Sequence, residues 1–114
     1  MNVTNLTTHN INMMDASHAI RTKIPPSGKI LDIAVNRKHW ATPEQLQIED
    51  IEYSIENLPE EIPDHFYIID YTKLLILKSK TDRTDFIAPD YTNHGVRNFG
   101  KIVGILKLTR ITNV

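Results

Sequence analysis

Pro25-Pro26-Ser27-Gly28 stands between two apolar runs, residues 19–24 and 29–35, and constrains the fold more than any other stretch of the chain. Proline pre-sets φ and glycine accepts φ > 0 without penalty, so these four residues supply turn chemistry. The flanking runs read as strands. In the second, Ile30, Asp32 and Ala34 alternate with Leu31, Ile33 and Val35 at period two. A hairpin turning at residues 25–28 is the natural expectation.

The rest of the chain reads in the same short units. Residues 3–14 are extended, broken by the polar segment Thr7-Thr8-His9-Asn10. Thr42-Pro43-Glu44-Gln45 has the form of a helix start, with Thr as cap and Pro in the first position. From Asp50 onward, Ile51, Tyr53 and Ile55 alternate with Glu52, Ser54 and Glu56 as in a half-buried strand. Residues 57–64, with Pro59 and Pro63, form a loop, and residues 65–70 a buried strand. Asp70 or Thr72 can cap a helix reaching about Lys80, although Leu74-Leu75-Ile76-Leu77 also suits a strand. Phe86-Ile87 precedes Ala88-Pro89-Asp90, and residues 102–111 form a closing strand. The expected class is α+β: a mostly antiparallel sheet with one principal helix on a face, in a single domain over residues 1–114.

Composition narrows the chemistry. A formal net charge of −1, with Lys and Arg spread along the chain, argues against duplex nucleic acid as partner. With no cysteine there is no disulfide, no thiolate metal site and no Cys nucleophile. No apolar run is longer than that of Leu74 to Leu77, far short of the roughly 20 residues of a membrane helix. Met1-Asn2-Val3-Thr4 lacks the pattern of a signal peptide, so a soluble intracellular protein without a membrane partner is expected.

Few residues offer a site. Ser27-Gly28-Lys29 imitates the end of a phosphate-binding loop, but the upstream glycine is missing and Ile30 stands where a magnesium-binding hydroxyl belongs. It remains either a structural turn or an anion-binding one. The five histidines show no metal-ligand spacing, and neither a metal nor a cofactor is expected. His9, in its Thr/Asn-rich segment, can meet a polar ligand or satisfy local backbone. Arg97 can clamp an anion or pair with an acid such as Asp90. Trp40 can stack on a planar ligand or close the core. Nothing suggests a nucleophilic triad.

The segments Asn5-Leu6-Thr7-Thr8-His9 and Ile24-Pro25-Pro26-Ser27-Gly28 resemble the opening motifs, Asn-Leu-Thr-Pro-His and Ile-Pro-Pro-Ser-Gly, of a family of small bacteriophage and prophage proteins. Leu58-Pro59, Tyr67-Ile68, Arg83, Asp85, Pro89-Asp90, Gly100 and Gly104 extend the resemblance along the chain. Thr8 and Asp70 depart from it, where the family has Pro and Ser. The resemblance implies a viral origin and brings no established reaction. By association it suggests a homo-oligomeric, non-catalytic counter-defence protein in the host cytoplasm, sequestering a small anionic, nucleotide-derived immune signal. Thr7, His9, Ser27, Lys29, Asp90 and Arg97 would supply polar contacts, and Trp40 or Tyr91 a stacking surface. Two alternatives stand beside it. One is an inhibitor of a host defence protein, or a virion accessory protein, using the acidic residues 49–61. The other is a metal-independent phosphodiesterase using His9 with His94 or Asp90.

Overall fold

A computed structural model describes residues 2–112. The single-domain expectation covers 1–114, so residues 1, 113 and 114 lie outside the described residues. Among those described, the elements run β1 (Asn2–Asn5), β2 (Ile11–Met14), β3 (Ile20–Ile24), β4 (Ile33–Ala41), β5 (Gln47–Ile55) and β6 (His65–Ile68). Then follow α1 (Tyr71–Lys78), β7 (Phe86–Pro89), the single helical turn α2 (Tyr91–His94), β8 (Gly95–Asn98), β9 (Lys101–Ile105) and β10 (Leu108–Thr109). Strands dominate, one helix exceeds a turn, and most pairing is antiparallel, which is the α+β class expected from the sequence.

Three sheets share the strands. The first has the order β1-β6-β7-β10, and its three leading strands are parallel. The second has the order β3-β2-β9-β8. The third is the hairpin β4-β5 alone. Parallel pairing of β6 with β7 follows from α1, which carries the chain back across the sheet between them.

Alternation along β6 and β7 makes the first sheet the middle layer. Tyr67, Ile69, Phe86 and Ala88 face one way, into a cluster with Leu6, Leu31 and the helix residues Leu74 and Leu77. Ile68 and Ile87 face the other way and meet Ile11 and Ile105 of the second sheet. The run 74–77 is helical because only a helix puts Leu74 and Leu77 on one buried face while Leu75 stays exposed. Each fully buried leucine contributes about 2 kcal/mol of transfer free energy. The helix ends at Ser79, whose N–H donates to the Ile76 carbonyl at 3.1 Å.

Beside this cluster sits an ion pair. Arg83 grips Asp85 with two nitrogens, Nε to Oδ1 at 3.0 Å and NH2 to Oδ2 at 2.6 Å. Its NH1 donates to the Pro59 carbonyl, and its guanidinium lies 4.8 Å from the centre of the Phe86 ring. One side chain therefore fastens the Leu58-Pro59 loop to the start of β7.

Several local expectations are overturned. Residues 25–28 are not a hairpin turn: β3 pairs with β2, β4 pairs with β5, and residues 25–32 are irregular. The strand expected over 29–35 begins at Ile33, because Asn57 and Lys73 side chains take the Ile30 and Leu31 carbonyls and the Asp32 N–H, and only the Asp32 carbonyl meets backbone, the Glu56 N–H. The supposed helix start at Thr42 is the tip of the β4–β5 hairpin. Thr42 N–H donates to the Leu46 carbonyl at 3.0 Å, and Gln45 takes a positive φ of 63°. Ile51 is exposed, so the alternation in β5 buries only part of its apolar face. The closing strand divides into β9 and β10 at Leu106-Lys107.

The β4–β5 hairpin projects as an arm. Its nine residue pairs run from Ile33↔Ile55 to Ala41↔Gln47 without a register shift. With it, the molecule measures 59 × 38 × 31 Å and has a radius of gyration of 17.2 Å. A compact chain of this length would have about 13 Å.

Candidate functional site

Parallel strands deliver their carboxyl ends to one edge of a sheet, where loops converge and ligands are usually bound. Here β1, β6 and β7 end together, and the loop after β1 is organised by Asn5. Asn5 is 1 % exposed, and its Nδ2 donates to the carbonyls of His9 and Ile24, each at 2.9 Å. Its Oδ1 accepts from the Thr7 N–H at 2.9 Å and the Thr7 hydroxyl at 2.7 Å. Its backbone carbonyl accepts from both the N–H and the hydroxyl of Ser27. Residues 5–9 and 24–28 therefore meet at one buried amide.

This network turns His9 outward, next to Tyr91, two residues beyond the end of β7. Its Nε2 lies 3.5 Å from the hydroxyl of Tyr91. Tyr91 opens α2, whose cap is Asp90. That carboxylate accepts from the Asn93 N–H at 3.3 Å and from the Asn93 side-chain amide at 2.7 Å. The Asn93 hydrogen bonds hold Asp90 below the usual carboxylate range. Burial, helped by the Asp70 charge, pushes the Tyr91 phenol upward, so it stays a neutral donor at physiological pH.

Between these groups and β9 lies a cleft of about 280 Å³. His9, Asn10, Asn12 and Tyr91 form its polar side, and Ile102, Val103 and Gly104 the other. Asn12 donates through Nδ2 to the Val103 carbonyl at 3.1 Å, while its buried Oδ1 has no hydrogen-bond partner. Gly104, in the cleft wall, leaves room behind it for Met14 and β2. A Cβ there would collide with the Met14 sulfur and come within 2.8 Å of the Asn12 carbonyl.

The sequence candidates therefore divide. His9 and Tyr91 line the cleft. Thr7, Ser27 and Asp90 stand around it, with their polar atoms engaged in shaping its walls. Lys29 is exposed on the loop beyond Ser27. Arg97 belongs elsewhere, on β8, where NH1 donates to the Gly100 carbonyl at 3.3 Å. Trp40 lies seven residues out along β4 from Ile33, about 23 Å away, with its indole N–H on Asp50 at 3.0 Å. Asn10 and Asn12 were missed by sequence reasoning. The signal for Asn12 was an amide inside the apolar strand Ile11–Met14.

A larger depression of about 580 Å³ lies at the opposite, amino-terminal end of β6 and β7. Two of its polar groups are already committed, Asp85 to Arg83 and His65 to the Thr4 hydroxyl at 2.7 Å. Among the described residues, no group of three or more His, Asp or Glu side chains is placed to hold a metal ion. No helix there is long and apolar enough to cross a membrane. Comparison of the chain with protein-family models, curated proteins and solved structures gives no match.

Proposed function

We propose that this protein is a non-catalytic binder whose His9–Tyr91 cleft takes the nucleoside of a small nucleotide-derived molecule. In the bacteriophage setting suggested by the resemblance, its role is to sequester such a signal from a host defence system. The observation that carries the reading is the convergence of His9, Asn10 and Tyr91 on one cleft, with the His9 Nε2 3.5 Å from the Tyr91 hydroxyl. Neutral donors and acceptors beside an aromatic ring suit the edge and face of a base. The volume of about 280 Å³ suits one nucleoside-sized group and not a whole dinucleotide. Neither Lys nor Arg lines the cleft, so recognition runs through the base, and a phosphate lies outward, toward solvent.

The test is thermal unfolding of the purified protein with cyclic dinucleotides, cyclic mononucleotides and ADP-ribose derivatives, followed by recovery of the small molecule after denaturation. A ligand at 100 times its dissociation constant adds about 2.7 kcal/mol, a clear upward shift in Tm. Intact recovery, with the shift lost in His9→Ala, is the expected result. Chemically altered recovery indicates turnover and overturns sequestration; no shift with any member overturns the ligand assignment.

A further inference from the structure

A further cleft, of about 420 Å³, lies on the sheet β3-β2-β9-β8 and is lined from the β2–β3 turn and from the edge strand β8. Val96, Arg97 and Asn98 all line it, although consecutive residues of a regular strand face opposite ways. A register shift accounts for this: Val96 pairs with Gly104, Arg97 with Ile102, and Val103 is skipped. The ladder of β2 with β3 shifts as well, between Met13 and Met14, and Met14 and Ile20 line the same cleft. Bulges of this kind re-aim side chains and concentrate beside functional sites.

The lining is chemically divided. Met14, Ile20, Val96 and Val103 are apolar, whereas Arg97, His18 and Asn98 are polar. Arg97 gives one NH1 contact to the Gly100 carbonyl at 3.3 Å and has no acidic partner among the described residues. Arg21, Arg37 and Arg83, by contrast, pair with Asp15, Glu49 and Asp85. Asp15 follows Met14 but does not line the cleft; Ser17, Ala19 and Arg21 hold it in the β2–β3 turn.

We infer that this cleft binds a small monocarboxylate with an apolar body, of the size of a medium-chain fatty acid. Arg97 takes the carboxylate, because its planar fork matches two carboxylate oxygens. Asn98 and His18 offer further N–H donors at the same rim. Arg97 is the one Lys or Arg in the lining, so it balances one negative charge and not the nearly two of a phosphate monoester. The apolar residues take the ligand's hydrocarbon out of water, and the volume lies in the range of small-molecule sites. Val103 is the one residue shared with the lining of the His9–Tyr91 cleft, and the inference does not rest on the nucleoside reading.

The experiment is an amide chemical-shift titration of the labelled full chain with octanoate, kept below its micelle concentration, against acetate and octylammonium. Octanoate is expected to give saturable shifts at His18, Ile20, Val96, Arg97 and Asn98. Acetate lacks the chain and octylammonium reverses the charge, so each should bind about tenfold or more weakly. Arg97→Gln should weaken octanoate about tenfold, with only partial recovery in Arg97→Lys. Lys23→Gln, on β3 of the same sheet, should change nothing. Both side chains are exposed, and the spectrum itself reports whether each variant keeps the fold. Ile20→Ser, a second exposed position, is expected to weaken octanoate without altering acetate. Absence of saturable shifts, equal binding of octylammonium, or an affinity indifferent to Arg97→Gln or to Ile20→Ser overturns the proposal. So does an equal loss in Lys23→Gln, which means general attraction to a basic sheet, or a response centred on His9 and Tyr91.

Discussion

Ser27 donates twice to the carbonyl of Asn5, from its hydroxyl at 2.7 Å and from its backbone N–H at 2.9 Å, across 22 residues of sequence. The Asn5 side chain simultaneously holds Ile24, Thr7 and His9. The Pro-Pro segment is thus anchored to the end of β1, and the same amide sets the direction in which His9 leaves the sheet.

Truncating that amide is expected to be costly. Asn5→Ala takes the side-chain partner from the Ile24 carbonyl and the Thr7 N–H, and leaves the His9 carbonyl only the Thr7 hydroxyl. The loss should be about 2–4 kcal/mol. Urea unfolding should show a lower midpoint with an unchanged slope. A loss under about 0.5 kcal/mol would mean that water replaces the amide and that the loop does not depend on it.

Arg83 and Asp85 form a pair whose geometry, and not charge alone, matters. Asp85→Ala leaves a guanidinium that is only 15 % exposed without its carboxylate, at a cost of about 3 kcal/mol. Arg83→Lys keeps the charge but loses the two-pronged grip and the bond to Pro59, so it should recover less than half of the stability lost in Arg83→Ala. Full recovery in Lys would show that charge alone is sufficient.

Much of the fold was legible from periodicity. The strand before α1 and the β1–β2 break follow from local pattern, whereas residues 74–77 suited helix and strand alike until packing buried Leu74 and Leu77 together. The errors share one cause: turn chemistry states that the chain bends, not which strands then pair. Pro25-Gly28 bends the chain between strands that belong to different sheets, and Thr42-Pro43 matches a helix cap locally while β4 and β5 zip around it. Of the residues picked out in the sequence, His9 and Tyr91 come to line the cleft. Arg97 and Trp40 were equally plausible by residue type, and only the topology separates them from the cleft.

Two glycines of the closing segment are required for different reasons, and alanine should distinguish them. Gly100 has φ +79° with open space around it, so Gly100→Ala costs about 1 kcal/mol through the backbone and leaves ligand binding intact. Gly104→Ala drives a methyl against the Met14 side chain and the Asn12 carbonyl, at about 1–3 kcal/mol, and so displaces Asn12 in the cleft wall. Calorimetry with a retained nucleotide should show weakened binding only for Gly104→Ala. Equal affinities would remove Gly104 from the cleft wall.

Asp15 supplies a pH dependence. Its Oδ1 accepts from the Ser17 hydroxyl and from the N–H groups of Ser17 and Ala19, with Arg21 at 2.8 Å from Oδ2. The Ser17 hydroxyl leads in lowering its pKa from 3.8 to about 2. The stabilisation from a depressed carboxylate is present above the unfolded value and lost as pH falls through the folded one. Wild type and Asp15→Asn should therefore differ in Tm at neutral pH and converge as pH drops from 3.8 toward 2. Parallel curves over that window would contradict the assignment.

The most direct measurement is amide chemical-shift mapping of the labelled protein during titration with the nucleotide that most raises its Tm. The account predicts the largest changes at His9, Asn10, Asn12, Tyr91 and Val103, with their loss in His9→Ala. Changes centred on the depression around Asp64 and Arg110, or along the β4–β5 arm, would contradict it.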